Sequence, residues 1–252
     1  VDVRRLGDGD PHARDVELMM PELSIVMPVY NEAGALEGVV AEWAAMLDAA
    51  SIDYELRIYD DGSRDGTGEV LHRLAANNPR IIAATHENRG HGPTLMRGYA
   101  EARGEWVFQT DSDGEIEAIS FASLWPERDR FDFLVGERVG RLSPIHRKVL
   151  TGGSRAVVAL FFGRAVADVN SPFRLMRGAW LRRVLPLIPA DAAVPNIILT
   201  GLAAKTGARV FATAVAHVAR RSGKTSLNLG RIARLAVRAV IDTAIVARRR
   251  LR

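Results

Sequence analysis

The chain has 252 residues, enough for one large core, and an ordinary globular composition of 48% hydrophobic and 25% charged residues. It contains no cysteine, which excludes disulfides and thiolate metal sites. The net charge is +4, and the excess gathers at one end: seven arginines and one acid, Asp242, lie between Arg231 and Arg252, a bias that favours an anionic surface.

Residues 1–21 are polar and mixed in charge, lack a signal-peptide apolar core, and are expected to form a flexible leader. Leu23 to Tyr30 is a buried-strand run that ends at Asn31-Glu32. A helix is expected from near Gly34, with Leu36, Val39, Val40, Trp43 and Leu47 on one apolar face. Tyr54 to Tyr59 reads as a second strand, ending on Asp60-Asp61-Gly62-Ser63, and a helix follows from Gly66 to Asn77. Arg80 to Ala84 is a third strand, Asn88 to Pro93 a glycine-rich loop, and Thr94 to Ala102 a helix capped by Gly104.

Trp106-Val107-Phe108 reads as the end of a fourth strand and leads into Thr110-Asp111-Ser112-Asp113-Gly114-Glu115. In an extended segment, alternation would set Asp111, Asp113 and Glu115 on one side. Three such carboxylates repel one another unless a cation sits between them, and Mg²⁺ or Mn²⁺ takes oxygen ligands while keeping positions open for phosphate. Taken alone, the segment also reads as an acidic turn with Gly114 as its turn residue.

Beyond it, Asp132 to Arg138 is expected as a strand and residues 143–163 as a helix. Asp168 to Met176 mixes turn and strand signals. Gly178 to Ile188 reads as a helix stopped by Pro189, Ile197 to Lys205 as another, Arg209 to Val218 as an edge strand, and Leu229 to Arg248 as a last helix. On that helix Arg231, Arg234, Arg238 and Asp242 fall on one stripe, with Ile232, Leu235, Ala239 and Val246 opposite. Such a helix either lies in a membrane interface or packs on the domain with a solvated basic face. No stretch reaches the ~20 apolar residues that span a bilayer.

Strand and helix alternating three times imply a parallel sheet with crossover helices, whose ligands bind at the carboxyl ends of the strands. The loops at 28–32, 60–63, 86–92 and 111–115 therefore converge on one crevice. No Walker loop or dinucleotide fingerprint occurs, and nothing points to nucleic acid. His86, His91, His146 and His217 are scattered, so no histidine–carboxylate base is evident. That suits a phosphate acceptor, already anionic with a second pKa of about 6.

The order Pro28-Val29-Tyr30-Asn31-Glu32, Asp60-Asp61-Gly62-Ser63-Arg64-Asp65-Gly66-Thr67 and Asp111-Ser112-Asp113 resembles glycosyltransferase family 2, which has the GT-A fold. Gly136-Glu137-Arg138, Arg147 with Thr151, Asp168 to Arg174, and Arg220 to Ser226 extend the likeness to the dolichol-phosphate mannosyltransferase, or polyprenyl-phosphate glycosyltransferase, branch. The chain departs from that branch at Pro172, where glycine is usual, at Leu227, where a lysine belongs, and near Asn196, where a glutamate is usual, so mannose is not carried over.

The resemblance implies an α/β GT-A domain over residues 22–228, Rossmann-like, with a mostly parallel sheet flanked by helices. A basic amphipathic helix at 229–252 follows it. It implies a metal-dependent inverting transferase that takes a nucleotide-diphosphate sugar and passes the sugar to a polyprenyl phosphate, in the cytoplasm and peripheral on the inner face of the membrane. It places Pro28, Tyr30, Glu32, Asp61 and Asp111 at the nucleotide, Mg²⁺ or Mn²⁺ on Asp111, Asp113 and Glu115, and Arg138, Arg147, Thr151, Arg220 and Lys224 at the phosphates. Asp111, Asp113 and Arg138 then carry the catalysis. A hydroxyl acceptor, or a binding module without turnover, would use the same donor site.

Overall fold

The computed structural model describes residues 20–139, 145–163, 168–218 and 229–249, without the side chains of 145–151, 229 and 231–233. Most of the expected leader lies outside them. The strands are β1 (Leu23–Val29), β2 (Tyr54–Asp60), β3 (Ile81–Thr85), β4 (Trp106–Gln109), β5 (Phe133–Val139), β6 (Arg174–Arg177) and β7 (Val210–Ala216). They form one sheet in the order β3-β2-β1-β4-β6-β5-β7, with β7 at the expected edge. The helices are α1 (Ala33–Ala49), α2 (Thr67–Asn77), α3 (His91–Glu101), α4 (Ile145–Phe162), α5 (Gly178–Val184), α6 (Pro195–Lys205) and α7 (Leu229–Arg248).

β1 is buried along its whole length because both faces of the sheet are covered. Leu23, Ile25, Met27 and Val29 join α1 and the alternate residues of β2 on one face, while Val26 joins Leu95 and Tyr99 of α3 on the other. The expected face of α1, Leu36 through Leu47, is buried as read. On the α1 side an aromatic cluster fills the space: Phe108 lies 4.8 Å from both Phe121 and Phe173, and Trp43 lies 5.3 Å from Phe108.

β1, β2, β3 and β4 pair in parallel, as the alternating pattern implies. The second half differs: β6 is inserted antiparallel between β4 and β5, and β5 pairs in parallel with β7. Three local expectations are also revised. α3 begins at His91 rather than Thr94, and its C-cap is Ala102 in an extended conformation. Gly104 is a close-approach residue instead: its N–H donates to Ser24 Oγ at 2.7 Å, and a Cβ there would lie 2.5 Å from Ser24 N and Trp106 O. The helix from Gly178 ends at Val184 and becomes a 3₁₀ turn at Leu185–Leu187, because Pro186 has no N–H to continue the ladder.

α7 packs on α4 and α6, with Ala239 joining Val158 and Ile197 in a buried cluster. Its stripes are in part those read from the sequence: Ala239 and Val246 are buried as expected. Asp242 lies beside Arg238, whose Nε is 3.8 Å from its Oδ2, but it is 6% exposed, and the same oxygen accepts the Ala193 N–H at 3.3 Å. Leu235, expected inside, is exposed along with Val237, Val240, Ile241 and Ile245. The side chains of Arg231 and Ile232 lie outside those described. No helix among the described residues is long and apolar enough to cross a membrane.

Candidate active site

The pairings make every described strand except β6 run the same way. The carboxyl ends of β1, β2, β3, β4, β5 and β7 thus open on one edge, and β6 starts from that edge. Its leading loop, Asp168 to Phe173, lies with them.

The loops after β1 and β2 are stitched together. Asn31, at φ +54°, donates its N–H to Ser63 Oγ at 2.8 Å, and its Oδ1 accepts the Arg64 N–H at 2.9 Å. Glu32 N–H donates to Thr67 Oγ1 at 2.9 Å, and Asp65 Oδ2 accepts the Ala33 N–H at 3.2 Å. Asp60 makes the local turn, accepting from Ser63 N–H at 2.9 Å. Asp61 reaches across the site: Oδ1 accepts the Arg89 N–H at 2.7 Å, and Oδ2 accepts the Gly90 N–H at 2.9 Å. Gly62, at φ +73°, allows this approach, since a Cβ there would meet Asn88 N at 2.8 Å. Much of the Asp60-to-Thr67 motif is therefore loop architecture. Pro28 is buried inside β1, Glu32 is buried beside the loop, and Tyr30 is 39% exposed at the strand's mouth.

The acidic loop is a series of bends rather than an extended segment, with Gly114 at φ +67°, so simple alternation does not arrange its carboxylates. Asp111, Asp113 and Glu115 nevertheless line one small pocket with Thr110, Ile116, Arg138, Pro172 and His217. Asp111 Oδ1 is buried without a hydrogen bond among the described residues, His91 Nε2 being 3.9 Å away. Asp113 Oδ1 accepts the Glu115 N–H at 3.0 Å. Glu115 Oε2 lies 2.8 Å from His217 Nε2, and its carbonyl accepts the Val218 N–H at 2.9 Å. The three-carboxylate metal set is therefore not assembled, and no group of three His, Asp or Glu side chains among the described residues is placed to hold a metal. Glu115 is committed to His217. Asp111 and Asp113 retain the oxygen chemistry that fits a hard divalent ion, and the unbonded Asp111 Oδ1 is what such an ion would complete.

Histidine–carboxylate pairs, not evident in the sequence, form at the site. His217 pairs with Glu115, 102 positions away, and His86 Nδ1 lies 3.5 Å from Asp61 Oδ1. A linear reading shows neither, because the partners meet only when distant strand ends share an edge.

Arg138 faces the acidic loop from the end of β5, held by Asp168. Beneath lies Arg174, paired in register with Gln109 and fully buried. It donates to the carbonyls of Ser171 and Asn196, the latter at 3.0 Å, and no carboxylate among the described residues lies within ion-pair distance. Burial pulls its guanidinium down to about 10, with Tyr99 and Asp168 opposing. Asn196, the departure noted in the sequence, offers Arg174 its backbone carbonyl, while its side-chain Oδ1 accepts from the Tyr99 hydroxyl at 3.4 Å. Arg147 and Thr151 sit on α4 with undescribed side chains, and Arg220 and Lys224 lie outside the described residues.

The family model described as Glycosyl transferase family 2 matches residues 24–185. The chain belongs to that family. An undecaprenyl-phosphate 4-deoxy-4-formamido-L-arabinose transferase from Edwardsiella ictaluri is 25% identical over 217 residues, covering 84% of this chain and 65% of the relative. A dolichyl-phosphate beta-glucosyltransferase from Dictyostelium discoideum is 25% identical, covering 77% of this chain and 65% of the relative. The chain thus spans about 65% of the length of these curated relatives. Their names match the polyprenyl-phosphate branch that the motifs resemble. Among solved structures, glucosyl-3-phosphoglycerate synthase from Mycobacterium tuberculosis, in complex with Mn²⁺, UDP and phosphoglyceric acid, superposes with a TM-score of 0.65. The identity is 17%, with 90% of this chain and 79% of that one covered. The fold is GT-A-like.

Proposed function

We propose that this member of glycosyl transferase family 2 moves a sugar from a nucleotide-diphosphate sugar to a polyprenyl phosphate, with inversion, at the strand-end pocket. The observation that carries the reading is the juxtaposition in one pocket of Asp111, whose buried Oδ1 has no hydrogen bond among the described residues, with Asp113 and the guanidinium of Arg138. Pro28, Tyr30, Glu32 and Asp61 form the nucleotide end: Tyr30 offers an exposed ring to the base, and Asp61 holds the 86–90 loop that borders it. Asp111 and Asp113 would hold Mg²⁺ or Mn²⁺, which neutralises charge on the departing diphosphate. A phosphate oxygen of the acceptor attacks the anomeric carbon, the bond from that carbon to the diphosphate breaks, and its electron pair leaves with the diphosphate. No proton need be removed from an acceptor already ionised above its second pKa of about 6. Arg138, with Arg147, Thr151, Arg220 and Lys224, serves the phosphates.

The acceptor is lipid-borne, so the pocket works at a membrane surface. The exposed Val237, Val240, Ile241 and Ile245 of α7, among its arginines, suit a peripheral position on the inner face. The His217–Glu115 pair favours one second reading, in which His217 takes a proton from a hydroxyl acceptor. Calorimetry with UDP and GDP, with and without Mn²⁺, tests the donor site. Metal-dependent binding that is lost in Asp113→Ala, with an unchanged melting temperature, supports it. Equal binding by that variant, or in excess chelator, removes the metal from the account.

A further inference from the structure

Arg138 is not a free side chain reaching into the pocket. Its Nε donates to Asp168 Oδ2 at 2.7 Å and its Nη2 to Oδ1 at 3.1 Å, the two-pronged fork that fixes a guanidinium plane. Nη2 also reaches the Asn170 carbonyl at 3.4 Å, while Nη1 makes no hydrogen bond among the described residues. The side chains are only 13% and 12% exposed. Asp168 is anchored in turn. The carbonyls of Val169 and Ser171 are gripped by the buried Arg174, and Ser171 Oγ donates to the Gly136 carbonyl on Arg138's own strand.

Electrostatics explain why such a brace matters here. Arg138 feels the charges of Asp111 and Glu115 as well as that of Asp168. Unbraced, a flexible guanidinium would fall onto the acidic loop and neutralise the carboxylates that the proposed cation needs. Burial alone would raise the Asp168 carboxyl, but the Arg138 hydrogen bonds and charge outweigh it and hold it below the ordinary value.

We infer that Asp168 is a positioning residue: it takes one edge of the Arg138 guanidinium, holds it off the acidic loop, and leaves Nη1 to donate to a phosphate oxygen of the substrate. This rests on the reading of the pocket as the nucleotide-sugar site. Asp168 does not touch the substrate; it acts through Arg138.

A double-mutant cycle with Asp168→Asn, Arg138→Met and the pair tests it, using Mn²⁺ with UDP or GDP as the binding probe and the melting temperature as a second readout. Asp168→Asn should lower the melting temperature by several degrees, because it leaves a buried cation half-paired. It should also weaken binding about tenfold, comparable to the loss of one charge-assisted phosphate contact. Arg138→Met should weaken binding by a similar factor. In the double variant the melting temperature should recover toward the parent while binding stays no worse than in Arg138→Met alone. Parent-like affinity in Asp168→Asn, or a double-variant loss equal to the product of the single losses, overturns the inference and leaves the donor site standing. A parent protein that binds neither nucleotide overturns both.

Discussion

Asp61 is the residue for which the sequence and the structure make different demands, and Asp61→Asn separates them. As a base contact only, Asp61 would matter when nucleotide is present. In the structure its two oxygens hold the backbone N–H groups of Arg89 and Gly90 at 2.7 and 2.9 Å, and the residue is 5% exposed. An asparagine keeps one acceptor and turns an NH₂ toward the other N–H. One charge-assisted bond is lost, one is weakened, and two donors are set face to face. Charge-assisted bonds contribute about 1.5–3 kcal/mol each, and water reaching the 86–90 loop recovers part of that, so the cost is about 2–3 kcal/mol. For a chain of this size that lowers the melting temperature by roughly 4–12 °C without any ligand. Differential scanning fluorimetry on the apo protein, with UDP and GDP titrations beside it, reads both effects. The expected result is a lower melting temperature together with weaker nucleotide binding, since the same loop borders the proposed base site. A melting temperature within about 2 °C of the parent would refute the clamp.

Other perturbations read the frame around the site. Glu55 is 5% exposed and accepts from Ser24, Arg57 and Arg103, so Glu55→Ala takes the close partner from a buried Arg57 and leaves it, among the described residues, only Glu101 at 3.6 Å and the Tyr59 hydroxyl at 3.4 Å. The loss should be about 3 kcal/mol, a fall of roughly 6–12 °C by calorimetry. Asp132 joins the start of β5 to Arg209 and Arg177, and the Arg209 hydrogen bonds bring its carboxyl down to about 2 despite partial burial. A depressed folded value means that its stabilisation is present above the unfolded value of about 4 and is lost as the pH falls toward 2. Asp132→Asn should therefore flatten the denaturation profile between those limits, and an unchanged profile contradicts the pairing. Liposome sedimentation should show binding that needs anionic lipid, falls with salt, and weakens in Val237→Asp/Ile241→Asp, both residues being exposed on α7. Equal sedimentation of that variant would remove the face from the membrane account.

The first half of the fold was legible because its signals are local. In β1 a continuous apolar run meets cover on both faces, and α1 shows its buried stripe at helical spacing. The motif loops were legible for the same reason, each ending a readable strand. The place of the acidic loop is legible but its shape is not, since Gly114 bends what alternation would keep straight. The antiparallel insertion of β6 was hidden because its four residues carry no directional signal. What sequence could not supply was partnership at a distance. Sequence alternation groups Glu115 with the metal carboxylates, whereas in the fold His217, 102 positions on, lies 2.8 Å from it. Asp168 stood in a quoted motif, yet its bond to Arg138, 30 positions earlier, is a fact of the sheet order. On α7, helical spacing located the stripes, but the side that met α4 and α6 was decided by packing.

The pocket of Asp111, Asp113 and Arg138 is proposed to transfer sugar to a polyprenyl phosphate. The direct measurement is transfer from a panel of radiolabelled UDP- and GDP-sugars to a short polyprenyl phosphate with Mn²⁺, by the parent and by Asp113→Ala. The account predicts a labelled, organic-extractable glycosyl phospholipid from the parent with at least one donor, and its loss in Asp113→Ala. Transfer to a hydroxyl acceptor alone, or full product from Asp113→Ala, would contradict it.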